Sequence, residues 1–407
     1  MESKRKISRR RFLVGTAAAL GGSALLRPRL PGAMPAVSAE DPTLVPRAFL
    51  PKVAKKPRFT PPSNPGQVVH IRNAAATTWT GETDYWNYVD QPTVDSMLEL
   101  GLKELTGEAT AVDAWRQLIP DYQAGQKVAI KVNFNNTRYC DSTVVAIDAI
   151  IEPINAVVKG LVAIGVAPSD ICVYDAVRAI PNRFVAGADY DIRFYDGWWE
   201  GVCQDAAGFT AVPENRVQFY PPVPISMPEE YVTNALMNAT YLISMPIMKG
   251  THSLAGVTLG FKNHFGTIST CSALHDYVNV VYKPEKYRTD YNPLVDLLGS
   301  PLIGGKLVLT IGDGIFAAPQ FTMPPVPWTT FGDEVPNSLF FATDPVAVDC
   351  IMHDLLYAES ATLAVDGSNN YLRLAAQAGL GVFEEGDPGA DPYSSGYSSI
   401  NYTRIDL

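Results

Sequence analysis

The run "KVAIKVNF", residues 127–134, places apolar residues at both odd and even positions. A strand with one wet face would alternate apolar and polar residues. A near-continuous apolar run is instead the mark of a strand buried on both faces, as in a parallel sheet sandwiched between helices. Six further stretches read as strands: "QVVHIRNA" (67–74), "ICVYDA" (171–176), "RVQFYP" (216–221), "YLISMPIM" (241–248), "KLVLTIGDG" (306–314) and "SLFFATD" (338–344). Helical patterns separate them. "PTVDSMLELGLKELTG" (92–107) opens on proline and stops at glycine. "STVVAIDAIIEPINAVVKGLVAIG" (142–165) is expected to break or kink at Pro153. "PEEYVTNALMNA" (228–239), "DPVAVDCIMHDLLYAE" (344–359) and "NNYLRLAAQAGLG" (369–381) complete the set, with Asp344 as an N-cap before Pro345. The alternation predicts an α/β fold with a largely parallel sheet flanked by helices. Within an α/β domain over 67–381, the aromatic, loop-rich residues 180–230 are expected to form an insertion or a lid. Residues 382–407 read as a polar tail.

The 407 residues are 47% hydrophobic and 18% charged, a balance that suits a large core and excludes a disordered chain. The first 39 residues stand apart. They hold a basic start, the run Ser8-Arg9-Arg10-Arg11-Phe12-Leu13, and an apolar segment to Leu26 that is short for a bilayer span. This pattern matches a twin-arginine export signal, with Val37-Ser38-Ala39 before a cut at Glu40. The expectation is a protein exported folded to the periplasm or another extracytoplasmic space. Its partner would be the twin-arginine translocase, and it would touch the membrane only if the signal stays uncleaved. Residues 40–66 contain seven prolines and read as an extended linker.

The signal carries eight of the 32 basic residues and one of the 42 acidic ones, so the remainder is more acidic than the whole-chain net charge of −10. Nucleic-acid binding is not expected of such a chain. The five cysteines, at 140, 172, 203, 271 and 350, show no C-x-x-C spacing, which excludes an iron–sulfur or cysteine-rich zinc site encoded in this chain. Buried free thiols with one late disulfide are expected.

Polar residues gather where strand candidates end: Lys131 and Asn133, Asp175 and Arg178, Lys249 and His252, Asp313, and Asp344. Ligands of open parallel sheets bind at the carboxyl ends of strands. "GVTLGFKNHFG" (256–266) adds Lys262 and Asn263 among glycines that let backbone approach a ligand. Ammonium groups and amide donors together suit a carboxylate or a phosphate. No P-loop, dinucleotide fingerprint or G-x-S-x-G elbow is present. A metal reading would use His252 and His264 with Asp313 or Asp349, a spacing that matches no signature. His70, His275 and His353 stand singly and read as structural.

The motifs "VAIKVNF", "SMPIMKGTHSLAGVTLGFKNHFG", "IGDGI" and "FFATDPVAVDCIMHDLL", in that order, resemble those of the domain-of-unknown-function family 362 over roughly residues 125–360. The resemblance implies an α/β protein. Many members carry ferredoxin-type cysteine clusters, which this chain lacks. Their strand commonly places lysine directly after the proline; here Ile247 follows Pro246, and Lys249 is retained.

These readings combine into one expectation: a crevice for an anionic small molecule or cofactor, with no particular cofactor named. Lys131, Lys249 and Lys262 would hold negative charge. Asn133 and Asn263 would orient the ligand. Asp313 and Asp344 would orient the lysines or bind metal, and His252, with Lys249, would move protons. The alternatives are a non-catalytic binding protein of the cell envelope and a redox subunit that depends on a partner.

Overall fold

The computed structural model describes residues 63–197, 201–250, 257–278, 283–359 and 368–407. The expected signal segment, the linker up to residue 62 and His252 lie outside the described residues.

In chain order the strands are β1 Gln67–Arg72, β2 Val128–Lys131, β3 Ile171–Asp175, β4 Arg193–Asp196, β5 Asp205–Ala206, β6 Tyr241–Ser244, β7 Ile247–Gly250, β8 Val257–Thr258, β9 Leu307–Ala318, β10 Ser338–Ala342 and β11 Asn401–Asp406. The α-helices are α1 Gln91–Thr106, α2 Ala111–Leu118, α3 Glu152–Ala163, α4 Asn182–Ala186, α5 Asn234–Met237, α6 Gly260–Asn263, α7 His275–Val278, α8 Pro293–Gly299, α9 Pro345–Glu359 and α10 Asn370–Gln377. One sheet runs in the order β11-β1-β10-β9-β6-β2-β3-β4-β5, and β7 and β8 extend it beside the far half of β9. From β9 through β5 every neighbouring pair is parallel; β10 is antiparallel to both β9 and β1. The expected α/β class with a mainly parallel sheet is what the chain forms.

The apolar run of β2 explains the layering. Val128 and Ile130 enter a core with Leu98 of α1, Trp115 of α2 and Val157 of α3, whereas Ala129 enters a core with Phe261 of α6, Leu297 of α8 and Ile351 of α9. The same alternation splits Val173 from Tyr174 and Phe341 from Phe340. Helices therefore cover both faces, as two-sided apolar strands require. The helix ends obey local rules. Asp90 accepts from Thr93 N at 2.9 Å to open α1, and Gly107, at φ 75°, closes it in the left-handed region.

Several elements differ from expectation for identifiable reasons. "YLISMPIM" splits into β6 and β7, because Pro246 has no N–H to continue a ladder; both halves run parallel to the twelve-residue β9. The 142–165 helix shrinks to α3, with Pro153 in its first turn rather than its middle. Residues 216–221 form only a bridge between Arg216 and Tyr231. The 180–230 segment supplies β4 and β5 to the sheet, and residues 401–406 of the polar C-terminal segment form β11, parallel to β1.

A disulfide joins Cys140 to Cys203, and Cys172 and Cys350 are buried free thiols. No helix of the described residues is long and apolar enough to cross a membrane.

Candidate functional site

A cavity of about 1140 Å³ opens beyond the carboxyl ends of β2, β3 and β4. Its walls include Asn133, Asp175, Arg178, Lys262, Cys271 and His275. This is the place where an open parallel sheet presents loops to ligands.

Lys131, the one charged residue of β2, is fully buried behind the wall. Its Nζ lies 3.2 Å from Asp175 Oδ2 and donates to Asn263 Oδ1 at 3.1 Å and to the Val132 carbonyl. Burial lowers its pKa, and the Asp175 carboxylate opposes that shift. Lys131 thus pairs with Asp175, not with Asp313 or Asp344 as the sequence reading had it. Asp175 also accepts from Phe134 N at 3.1 Å, which fixes the loop after β2. Gly266 seals the pair: a Cβ there would stand 2.5 Å from Asp175 Oδ1 and 2.6 Å from Lys131 Nζ. Only glycine lets the backbone come so close.

Asn263 ties this pair to α6. Its Oδ1 accepts from Lys131 and, at 3.4 Å, from Asn133; its Nδ2 donates to the Lys131 carbonyl at 3.3 Å and to Ser244 Oγ at 3.2 Å. Both ends of the carboxamide are therefore engaged within the protein. Asn133 keeps an Oδ1 that has no hydrogen-bond partner among the described residues. The start of α6 is held by Asp349, which accepts from Gly260 N at 2.7 Å, Phe261 N at 3.1 Å and Tyr371 Oη at 3.2 Å. A Cβ on Gly260 would sit 2.8 Å from Asp349 Oδ1. Asp349 thereby sets the position of Lys262, the next residue after Phe261.

Lys262 is part-exposed on the cavity wall, and its low-dielectric surroundings bring its ammonium down to about 8. Burial, with Lys262 adding repulsion, lowers His275 to about 4, and its Nδ1 bonds the Cys271 carbonyl at 3.2 Å. Burial raises the Cys271 thiol to about 11 against the pull of Arg178 and Lys262. His264 is buried away from the cavity, bonded through Nδ1 to Thr267 Oγ1 at 3.2 Å, and burial pushes it down to about 3.

The other expected residues lie elsewhere. Strand alternation sends Met248 into the α9 core and Ile247 into the opposite one, so Lys249 faces the α1–α3 side. It is fully buried there, with no hydrogen-bond acceptor among the described residues; burial lowers it to about 8, and Asp148 is its strongest opposing charge. Asp148 accepts from Asn135 N, Asn136 N and Thr137 Oγ1 at 2.7, 3.0 and 2.9 Å. Asp313 lies between Ile311 and Ile315 on that same face, where burial raises it to about 7 and Glu152 adds to the rise. Asp344 caps α9: it accepts from Val346 and Ala347 N at 2.9 Å, and from Gly66 and Val382 N at 2.8 and 2.9 Å. Among the described residues no cluster of three or more His, Cys, Asp or Glu side chains could hold a metal ion.

The cavity therefore gathers Asn133, Lys262 and Asn263, backed by Lys131, and leaves Lys249, Asp313 and Asp344 outside its wall. Asp148, Cys271 and His275 were not singled out as site residues. The i, i+4 spacing of Cys271 and His275 and the lone carboxylate in "AIDAII" were the available signals. The family described as "Domain of unknown function (DUF362)" matches residues 128–354. The chain belongs to this family. The DUF362 match runs from the first residue of β2 into α9 and so contains the whole cavity wall and the Lys131–Asp175 pair. It leaves β1, α1, α2, α10 and β11 outside. No curated protein matches the chain.

Proposed function

We propose that this chain is an exported α/β protein that binds an anionic small molecule or cofactor in the cavity beyond β2, β3 and β4. The carrying observation is that Lys262 and Arg178 lie on the wall of a cavity whose nearest carboxylate, Asp175, already neutralises the buried Lys131. The other wall carboxylate, Asp196, accepts from the Ile180, Cys203 and Gln204 amides. Lys262, together with Arg178, which donates to the Asn135 and Val177 carbonyls, supplies the cationic charge that a ligand would meet on this wall, despite the acidic chain. A pocket of this kind selects by local arrangement, not by long-range steering.

A non-catalytic binding role is the second reading, favoured by the saturation of Asn263 and Asp175 within the protein. Two tests apply. Mass spectrometry of protein purified from its native host identifies what co-purifies, and Lys262→Ala is expected to lose it; retention of every ligand by that variant overturns the anion site. For export, Arg9→Lys with Arg10→Lys is expected to hold the precursor in the cytoplasm, and unchanged fractionation overturns the twin-arginine route.

A further inference from the structure

The cavity wall carries two kinds of chemistry. Phe134, Phe209, Phe265, Phe321, Val202 and Val278 line much of it. With them stands a polar cluster in which Arg178 and Lys262 both act electrostatically on Cys271 and His275, and the Phe265 ring meets His275 edge-on at 4.7 Å between centroids. Asn133, nine-tenths buried on the same wall, adds an acceptor, Oδ1, with no partner among the described residues. The volume, about 1140 Å³, slightly exceeds the roughly 300–1,000 Å³ of sites that enclose a drug-sized molecule. An inorganic phosphate or acetate would meet the cations but leave the aromatic rings unmatched.

Resting on the anion-binding reading above, we infer that the ligand is an amphipathic organic anion: an aromatic or fused-ring body carrying a terminal carboxylate or phosphate. The ring packs among Phe209, Phe265 and Phe321. The anionic group lies toward Lys262 and Arg178. A hydroxyl or N–H on the body donates to Asn133 Oδ1. Carboxylate and phosphate heads share the chemistry that the ammonium and guanidinium groups recognise, and the probe series separates them.

Cys271 supplies a built-in reporter. It lies on the cavity wall and is part-exposed, whereas Cys172 and Cys350 are buried and Cys140 and Cys203 are joined. The test uses the disulfide-bonded full-length protein with 1-naphthyl phosphate, 1-naphthoate, 1-naphthol, inorganic phosphate and acetate. Affinity is read by calorimetry, and occupancy by protection of Cys271 from methanethiosulfonate at mildly alkaline pH. At least one naphthyl anion is expected to bind about ten-fold or more tighter than its compact counterpart and than 1-naphthol, as ring burial and charge pairing each require. That anion should also slow modification of Cys271. Phe209 and Phe321 are the part-buried phenylalanines of the wall, whereas Phe134 and Phe265 are buried in the core, so the former two are the sites to substitute. Phe209→Ala with Phe321→Ala should erase the advantage over the compact anion, and Lys262→Ala should erase the advantage over naphthol. Equal binding of naphthyl and compact anions overturns the amphipathic ligand and leaves the anion site standing. Naphthol binding as tightly as both naphthyl anions, or no binding and no protection by any probe, overturns both. The protection measurement needs no substitution, so an unstable variant does not remove the test.

Discussion

At the scale of single residues, the decisive unit is Lys131 with Asp175. Two charges with almost no exposure hold each other in place, and each also bonds protein groups that shape the cavity wall. Asp175→Asn leaves the ammonium buried without a counter-charge. Loss of about 3–5 kcal/mol in urea unfolding is expected, and a loss below 1 kcal/mol would sink this account of the wall. Asp313 behaves in the opposite sense. Its folded pKa, about 7, exceeds the ordinary value, so on raising the pH the unfolded chain releases this proton first. The folded state then holds a proton that the unfolded state lacks, and stability falls as pH rises from about 4 to about 7. Asp313→Asn should flatten that slope and leave the protein about 1 kcal/mol or more stabler than its parent at pH 8. An unchanged pH profile from chemical unfolding would rule this out. Lys131 and Lys249 were legible as unusual in the sequence, each a lysine in or ending an apolar strand run. Their partners were not, because period-two alternation sends neighbouring strand ends to opposite faces of the sheet. Lys131 and Lys249 look alike in the sequence and end on different sides.

At the scale of elements, local chemistry was the readable part. Proline at the start and glycine at the stop bound α1 within a residue of expectation, and Asp344 caps α9 as its sequence signature indicates. The structure adds that Asp344 also binds the Gly66 and Val382 amides, so one carboxylate joins a helix start to two distant loops. Asp344→Ala is therefore expected to cost more than a simple cap, about 2–4 kcal/mol, since buried amides are orphaned too. A stability loss in urea unfolding no greater than that of an ordinary cap deletion, about 1 kcal/mol, would show that those amides find other acceptors. Elements with few residues escaped detection. β4 and β5 carry Arg193 and Asp205 and have little apolar pattern; parallel pairing of β4 to β3 and of β5 to β4 makes them strands. β11, "NYTRID", is polar on most positions because it lies at the sheet edge, so its sequence reads as a tail.

For the whole molecule, two-sided apolar strands made the class readable, but order within the sheet depends on pairings that no local signal encodes. The Cys140–Cys203 disulfide is one such long-range tie. It closes a separation of 63 residues between the segment after β2 and the residues just before β5. Chain-entropy reasoning gives about 4 kcal/mol for a loop of that size. Dithiothreitol should lower the urea midpoint accordingly, and Cys140→Ser with Cys203→Ser should lower it equally and remove the response to reductant. A midpoint indifferent to both would show that the bond restrains nothing the fold does not already hold.

The placement of β1 carries a consequence for synthesis. It is the first strand of the described residues, yet both its neighbours, β10 and β11, lie beyond residue 337. A nascent chain has the whole of β2, β3, β6 and β9 available to assemble while β1 still lacks any strand to pair with. Val68, Val69 and Ile71, all buried in the finished sheet, must wait through most of translation. At this edge the order of making and the order of joining run in opposite directions.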